Sequence, residues 1–133
     1  MPSKSKSSAC RTLGKPGNEI KDEVKPMAGE PVISKNVNSA FIGTDLEERL
    51  RRAESSEVVI TGLTTDHCVS TTARMAGNLG FKTFVVSDAT AAQDRVGIHG
   101  KRYNARLIHE TSLASSSGEF AEVLESKELL KRL

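Results

Sequence analysis

The chain has 133 residues, 37% of them hydrophobic and 27% charged, with a net charge of +2, which suits one globular domain and argues against disorder. So small a charge, with no tryptophan and no basic block interleaved with aromatics, excludes nucleic acid as a partner. No apolar run approaches a membrane span, no signal-peptide core opens the chain, and two cysteines, Cys10 and Cys68, make no disulfide framework, so a cytoplasmic protein is expected.

Residues 1–12 are rich in serine and lysine without apolar periodicity and read as a mobile leader ahead of a single domain over 13–133. Glycine and proline at Gly14, Pro16, Gly17, Pro26 and Gly29 then mark an ordered loop with one helical turn. PVISK (Pro31–Lys35) predicts a short strand, with proline tolerated at its first position. TDLEERLRRA predicts a helix capped by Thr44, with Glu47 returning the bond and Leu46 and Leu50 sharing a face. The run EVVIT (Glu57–Thr61) has the apolar character of a parallel strand buried on both faces. The helix after it puts Cys68, Thr72, Met75, Ala76 and Leu79 on one stripe and stops at Gly80. FKTFVVSD is the next strand, and KRYNARLIHETSLASSS a helix with Tyr103, Leu107 and Thr111 inward. EFAEVLE is a last short strand, and Ser126 caps a terminal helix. Strands that alternate with helices in this way predict an α/β fold with a mostly parallel sheet.

In open parallel sheets ligands gather at the carboxyl ends of strands. Lys35, the Gly62–Cys68 turn and Asp88 fall at three such ends. A cysteine in the first turn of a helix meets unpaired N–H groups that favour a thiolate and can hold an oxyanion formed by its attack on a carbonyl. The bland alternative is that Cys68 packs as a small hydrophobe. His67 adjoins Cys68 in sequence but points about 100° away on a helix, so it reads as a rim or capping residue. The same geometry weakens a zinc site, and no second Cys/His cluster follows at ligand spacing. His99 and His109 read as surface residues. No glycine-rich dinucleotide or phosphate loop is present, so no cofactor or metal is expected.

Three stretches together carry a resemblance. GEPVISKNVNSAFIGTDLEERLR, VVITGLTTDHCVSTTARMAGNLGFKTFVVSDATAA and DRVGIHGKRYNARLIHETSLASSSGEFAEVL resemble the isochorismatase-like cysteine hydrolases over roughly Leu13 to Leu133. The resemblance implies a Rossmann-like, mostly parallel sheet with flanking helices and an Asp–Lys–Cys triad acting on small amides or related substrates. By position Cys68 would be the nucleophile and Lys35 the triad lysine. The oxyanion hole would use the backbone N–H groups of Thr64 and Cys68, after a cis peptide at Leu63–Thr64. Phe41, His67 and Asp88, with the SDATAA loop, would line the pocket, and a homo-oligomer with a small-molecule substrate is implied.

The departures from the family pattern shape the expectation. The family's first two strands, the first ending in the triad aspartate, have no counterpart before Leu13, and Asp22 matches a linker. Gln93, His99 and Ser116 stand where an aromatic, an aspartate and a leucine are expected. PVISK and VVIT would flank the two absent strands, leaving a gap of about 14 Å that must be re-paired, filled by a partner's strands, or left as an aggregation-prone edge. The expected function is a cysteine hydrolase that is weak or inactive for want of its aspartate, with Asp66 or Asp88 as stand-in base. The alternative is a catalytically dead, truncated relative serving as an oligomer subunit or binding module. A redox pair of Cys10 with Cys68 is a weaker third.

Overall fold

The computed structural model describes residues 19–133; the leader expected over residues 1–12, and Cys10 within it, lie outside the described residues. In chain order the elements are α1 (Leu46–Arg52), β1 (Glu57–Leu63), α2 (Ser70–Asn78), β2 (Lys82–Ala91), β3 (Arg95–Val96), β4 (Arg102–Tyr103), α3 (Ala105–Ser116), β5 (Glu122–Leu124) and α4 (Ser126–Arg132). A 3₁₀ turn at Asp22–Val24 supplies the one helical turn expected in the early loop.

The main sheet is parallel, in the order β1-β2-β5. β2 is central because Phe84, Val85 and Val86 are a β-branched and aromatic run that can be buried on both faces, and all three are buried. α2 and α3 pack against it. Val69, Ala73, Val85 and Ala121 form the buried cluster, edged by Ile60, Leu113 and Val123. α2 lies very close to the chain entering β5: a Cβ added at Gly77 would sit 2.9 Å from the Phe120 carbonyl oxygen, so only glycine fits there. Gly80, at φ +89°, ends α2 in the left-handed conformation that glycine adopts without strain.

Several expected elements are corrected. Among the described residues Pro31–Lys35 forms no strand and pairs with none. Its residues are exposed apart from half-buried Ile33, and among the described residues no strand lies beside it to bond. Its absence leaves β1 at the edge of the sheet, so β1 is not buried on both faces: Val58 and Ile60 are half-buried while Val59 and Leu63 are exposed. α3 begins at Ala105, not Lys101. Arg102 and Tyr103 pair antiparallel with Val96 and Arg95, and Asn104 caps the helix by accepting from the Leu107 N–H at 2.9 Å. That start leaves Leu107 and Thr111 exposed and turns Ile108, Ser112, Leu113 and Ser116 inward. α1 starts after Asp45, and Glu47 pairs with Arg51 four residues on rather than with the cap.

β2 does not stop at Asp88. Ile60 pairs with Val85, but Gly62 pairs with Thr90 and Leu63 with Ala91, so β2 bulges outward over the intervening residues and then resumes. The SDATA segment is therefore strand and bulge rather than a loop past the strand end.

Candidate active site

The Leu63–Thr64 peptide that follows β1 is cis. Thr65–Val69 then form a single π-helical turn ahead of α2, a geometry that recurs at functional sites. The Val69 N–H reaches the Thr64 carbonyl at 3.2 Å. Thr65 and Val69 are buried beneath the turn, and Cys68 is half-buried on it. Cys68 thus sits in a wide turn just ahead of α2, not in the first turn of an α-helix.

Two side chains from one short segment reach its sulfur. Lys35 Nζ donates to Cys68 Sγ at 3.4 Å and to the Val37 carbonyl at 2.7 Å. The Cys68 thiol faces Asn38 Oδ1 at 3.7 Å. The segment is pinned to α2 where the Ala40 N–H donates to Thr72 Oγ1 at 3.1 Å, and buried Ser39 accepts from the Phe41 N–H. Lys35 therefore arrives at the sulfur from a loop, without the strand expected to carry it.

The other side of the turn is held by Arg95. Its guanidinium grips Asp66 with two bonds, Nε to Oδ2 at 2.7 Å and Nη2 to Oδ1 at 3.1 Å. The same Nη2 lies 3.4 Å from both Thr64 Oγ1 and His67 Nδ1. From α3, His109 Nδ1 lies 2.8 Å from the buried Thr65 hydroxyl. His109 is thus a partner of the turn, not a surface residue; His99 is exposed.

Burial alone would push the Asp66 carboxyl up, but the Arg95 bonds, its backbone N–H and the charges of His67 and Arg95 outweigh it and hold the carboxyl below the ordinary value. The stability this group contributes is fully present above the unfolded carboxylate value of about 3.9 and is lost as pH falls through the lower folded value. Asp66→Asn is expected to flatten that part of the acid limb when urea midpoints are measured from pH 7 to 3. Parallel profiles for the two proteins would place the linkage elsewhere.

Asp88 holds the start of α4. The Ser126 N–H donates to Oδ1 at 2.7 Å and the Ser126 hydroxyl to Oδ2 at 2.5 Å, and these bonds, side-chain first, hold its carboxyl below the usual range. Ser126 is thus bonded by a cap rather than acting as one. Phe41 stacks on Phe81, centroids 6.1 Å apart, and lines a hollow of about 420 Å³ with Leu46, Leu50, Val59, Ile60 and Thr72, among others. Cys68 is not part of that lining. Among the described residues no three His, Cys, Asp or Glu side chains are grouped to hold a metal, and no helix is long and apolar enough to cross a membrane.

The isochorismatase domain model matches residues 1–128. The chain belongs to the isochorismatase family. An uncharacterized isochorismatase family protein of Bacillus subtilis, YrdC, is 53% identical over 122 residues, covering 90% of this chain and 65% of that protein. Nicotinamidase 3 of Arabidopsis thaliana is 33% identical over 90% of this chain and 56% of its own length. A crystal structure of an isochorismatase-family protein from Chromobacterium violaceum superposes with a TM-score of 0.88 at 42% identity, covering 94% of this chain and 65% of that one. The chain therefore spans less than two thirds of the length of these relatives. In this isochorismatase fold Lys35 and Cys68 meet just after the cis Leu63–Thr64 bond, His67 is the half-exposed neighbour of Asp66 and Arg95, Phe41 stacks on Phe81, and Asp88 bonds Ser126. Asn38, Arg95 and His109 escaped the sequence reading. Asn38 could have been suspected as a polar loop residue three positions after the lysine, but nothing local marks the other two.

Proposed function

We propose that this chain carries a cysteine-hydrolase site in which Cys68 attacks the carbonyl of a small amide. The observation that carries this reading is the Lys35 ammonium 3.4 Å from the Cys68 sulfur, two groups drawn together from distant parts of the sequence at a cis-peptide turn. The Cys68 thiolate forms a bond to the carbonyl carbon, and the resulting oxyanion faces the backbone N–H groups of Thr64 and Cys68. Collapse breaks the C–N bond, and the amine leaves with a proton from Lys35. The neutral Lys35 amine then takes a proton from the water that cleaves the thioester; the C–S bond breaks, the acid is released, and the thiolate is restored beside the Lys35 ammonium. The amide class agrees with the name of one relative, Nicotinamidase 3.

Neither stand-in carboxylate serves as the base: Asp66 is committed to Arg95 and Asp88 to Ser126. This chain alone is accordingly expected to turn over small amides, nicotinamide first among them, below about 1 s⁻¹, the low end of the ordinary enzyme range. Ammonia release and mass spectrometry of the Cys68 peptide test this. An acyl adduct on Cys68 supports the reading. Turnover that survives Cys68→Ser sinks it, and turnover within the ordinary range sinks the claim of weakness.

A second reading, that the chain serves as an oligomer subunit or a binding module, is favoured by the outer edge of β1. Among the described residues no strand pairs there, and Val59 and Leu63 are 47% and 66% exposed, a surface that templates strand addition. Sedimentation velocity decides it: a monomer at all concentrations argues against this reading.

A further inference from the structure

The π turn is held from outside at each of its leading residues. Thr64, Asp66 and His67 are all contacted by Arg95, Thr65 by His109, and Cys68 by Lys35 and Asn38. The Arg95 contacts differ from the rest because one planar group touches three of these residues. A two-bond guanidinium–carboxylate pair fixes angle as well as distance, so the position of Asp66 fixes where Arg95 can meet the Thr64 hydroxyl. Both partners are largely shielded from water, their side chains 29% and 14% exposed, so the pair is less screened than the surface pairs of α1. Arg95 belongs to β3, whose own ladder is only two residues long. Its partner strand is fixed in turn by Asp94, which accepts from Arg102 at 3.0 Å and from the Ala105 N–H at 2.8 Å.

We infer that Arg95 is a positioning residue for the oxyanion site, setting the orientation of the Thr64 peptide through its grip on Asp66 and the Thr64 hydroxyl. This rests on the proposed cysteine-hydrolase reading and adds a residue to it. Arg95 touches neither the sulfur nor the carbonyl under attack. Its loss should therefore spare reactions of Cys68 that build no oxyanion and slow those that do.

Two reagents separate the cases on the full chain. With p-nitrophenyl acetate the Cys68 sulfur bonds to the carbonyl carbon through a tetrahedral oxyanion, and p-nitrophenolate leaves with the electron pair of the broken C–O bond. With iodoacetamide the sulfur displaces iodide from a saturated carbon, and no oxyanion forms. Arg95→Met is expected to slow acylation roughly ten- to hundredfold, the scale of a small misplacement transmitted from outside the reacting groups, with alkylation changed by less than about twofold. Arg95→Lys, which keeps the charge but not the fork, should restore only part of the acylation rate and supplies the decision if the methionine variant does not fold. Equal losses in both reactions, or no loss in either, would overturn the inference. If the unsubstituted chain acylates no faster than Cys68→Ser, the hydrolase reading itself fails, a result distinct from these.

Discussion

Lys35→Met is expected to slow acylation of Cys68 by p-nitroacetanilide about a hundredfold or more, and by p-nitrophenyl acetate only about tenfold. The two numbers come from two separate jobs of one ammonium. At 3.4 Å from the sulfur, and exposed on its loop, it attracts a thiolate by about 1.2 kcal/mol in water-like surroundings, roughly eightfold. The anilide adds a second demand, because its nitrogen must be protonated to leave, and a positioned general acid is worth roughly 10²–10⁴. The ester's phenolate needs no proton. The Val37 carbonyl, 2.7 Å from Lys35 Nζ, holds the ammonium in place, so the proton source is already oriented. Rates with both reagents check the prediction, and raising the salt to about 1 M should shrink the ester effect by screening. Equal losses with both reagents would leave Lys35 an electrostatic role only, and no loss with either would make it a bystander.

The second large effect lies below the site. Phe81→Ala is expected to cost about 3–5 kcal/mol, the range for removing a buried ring, and to lower Tm by roughly 10–20 °C. Phe81 is 6% exposed, stacks on Phe41 and lies under the Arg51 guanidinium, 5.0 Å from its centroid. Domains of this size hold only about 5–15 kcal/mol in all. The loss also reaches the site, because Phe41 lies on the same short segment as Lys35 and Asn38. With its stacking partner gone, that segment loses a packing contact next to its bond from Ala40 to Thr72. Thermal unfolding by circular dichroism measures the cost, with Phe81→Leu as the milder control. A cost below about 1 kcal/mol, the range of an ordinary surface change, would mean that the ring carries little of the packing between this segment and the sheet.

The α/β class, the helices flanking a parallel sheet and the turn bearing Cys68 are legible in the sequence, because each depends on local pattern. The central strand is the plainest case: Phe84, Val85 and Val86 form an apolar run that fits only a position covered on both faces. What the sequence hides depends on neighbours. PVISK has strand composition, yet a strand needs something to pair with, and composition does not report that. α3 starts later than its pattern suggests because Arg102 and Tyr103 find partners in Val96 and Arg95, and the Asn104 cap is concealed inside a longer helical pattern. At the site, Lys35 and Cys68 are found through motif resemblance. Arg95 and His109 are not, because they reach the turn from β3 and α3, where no spacing rule links them to the cysteine. Asp66 and Asp88 look available in sequence because a carboxylate's partners do not show there.

The jump in register along β2, from Val85 opposite Ile60 to Thr90 opposite Gly62, separates chain length from strand phase. Within Lys82–Val86 a one-residue insertion would send every following side chain to the opposite face of the sheet. In the bulge the added residue only lengthens a detour, and pairing resumes in phase on the far side. That detour carries Asp88, which holds the start of α4. Relatives can therefore vary in length there and re-aim the chain beside the C-terminal helix without rebuilding the core.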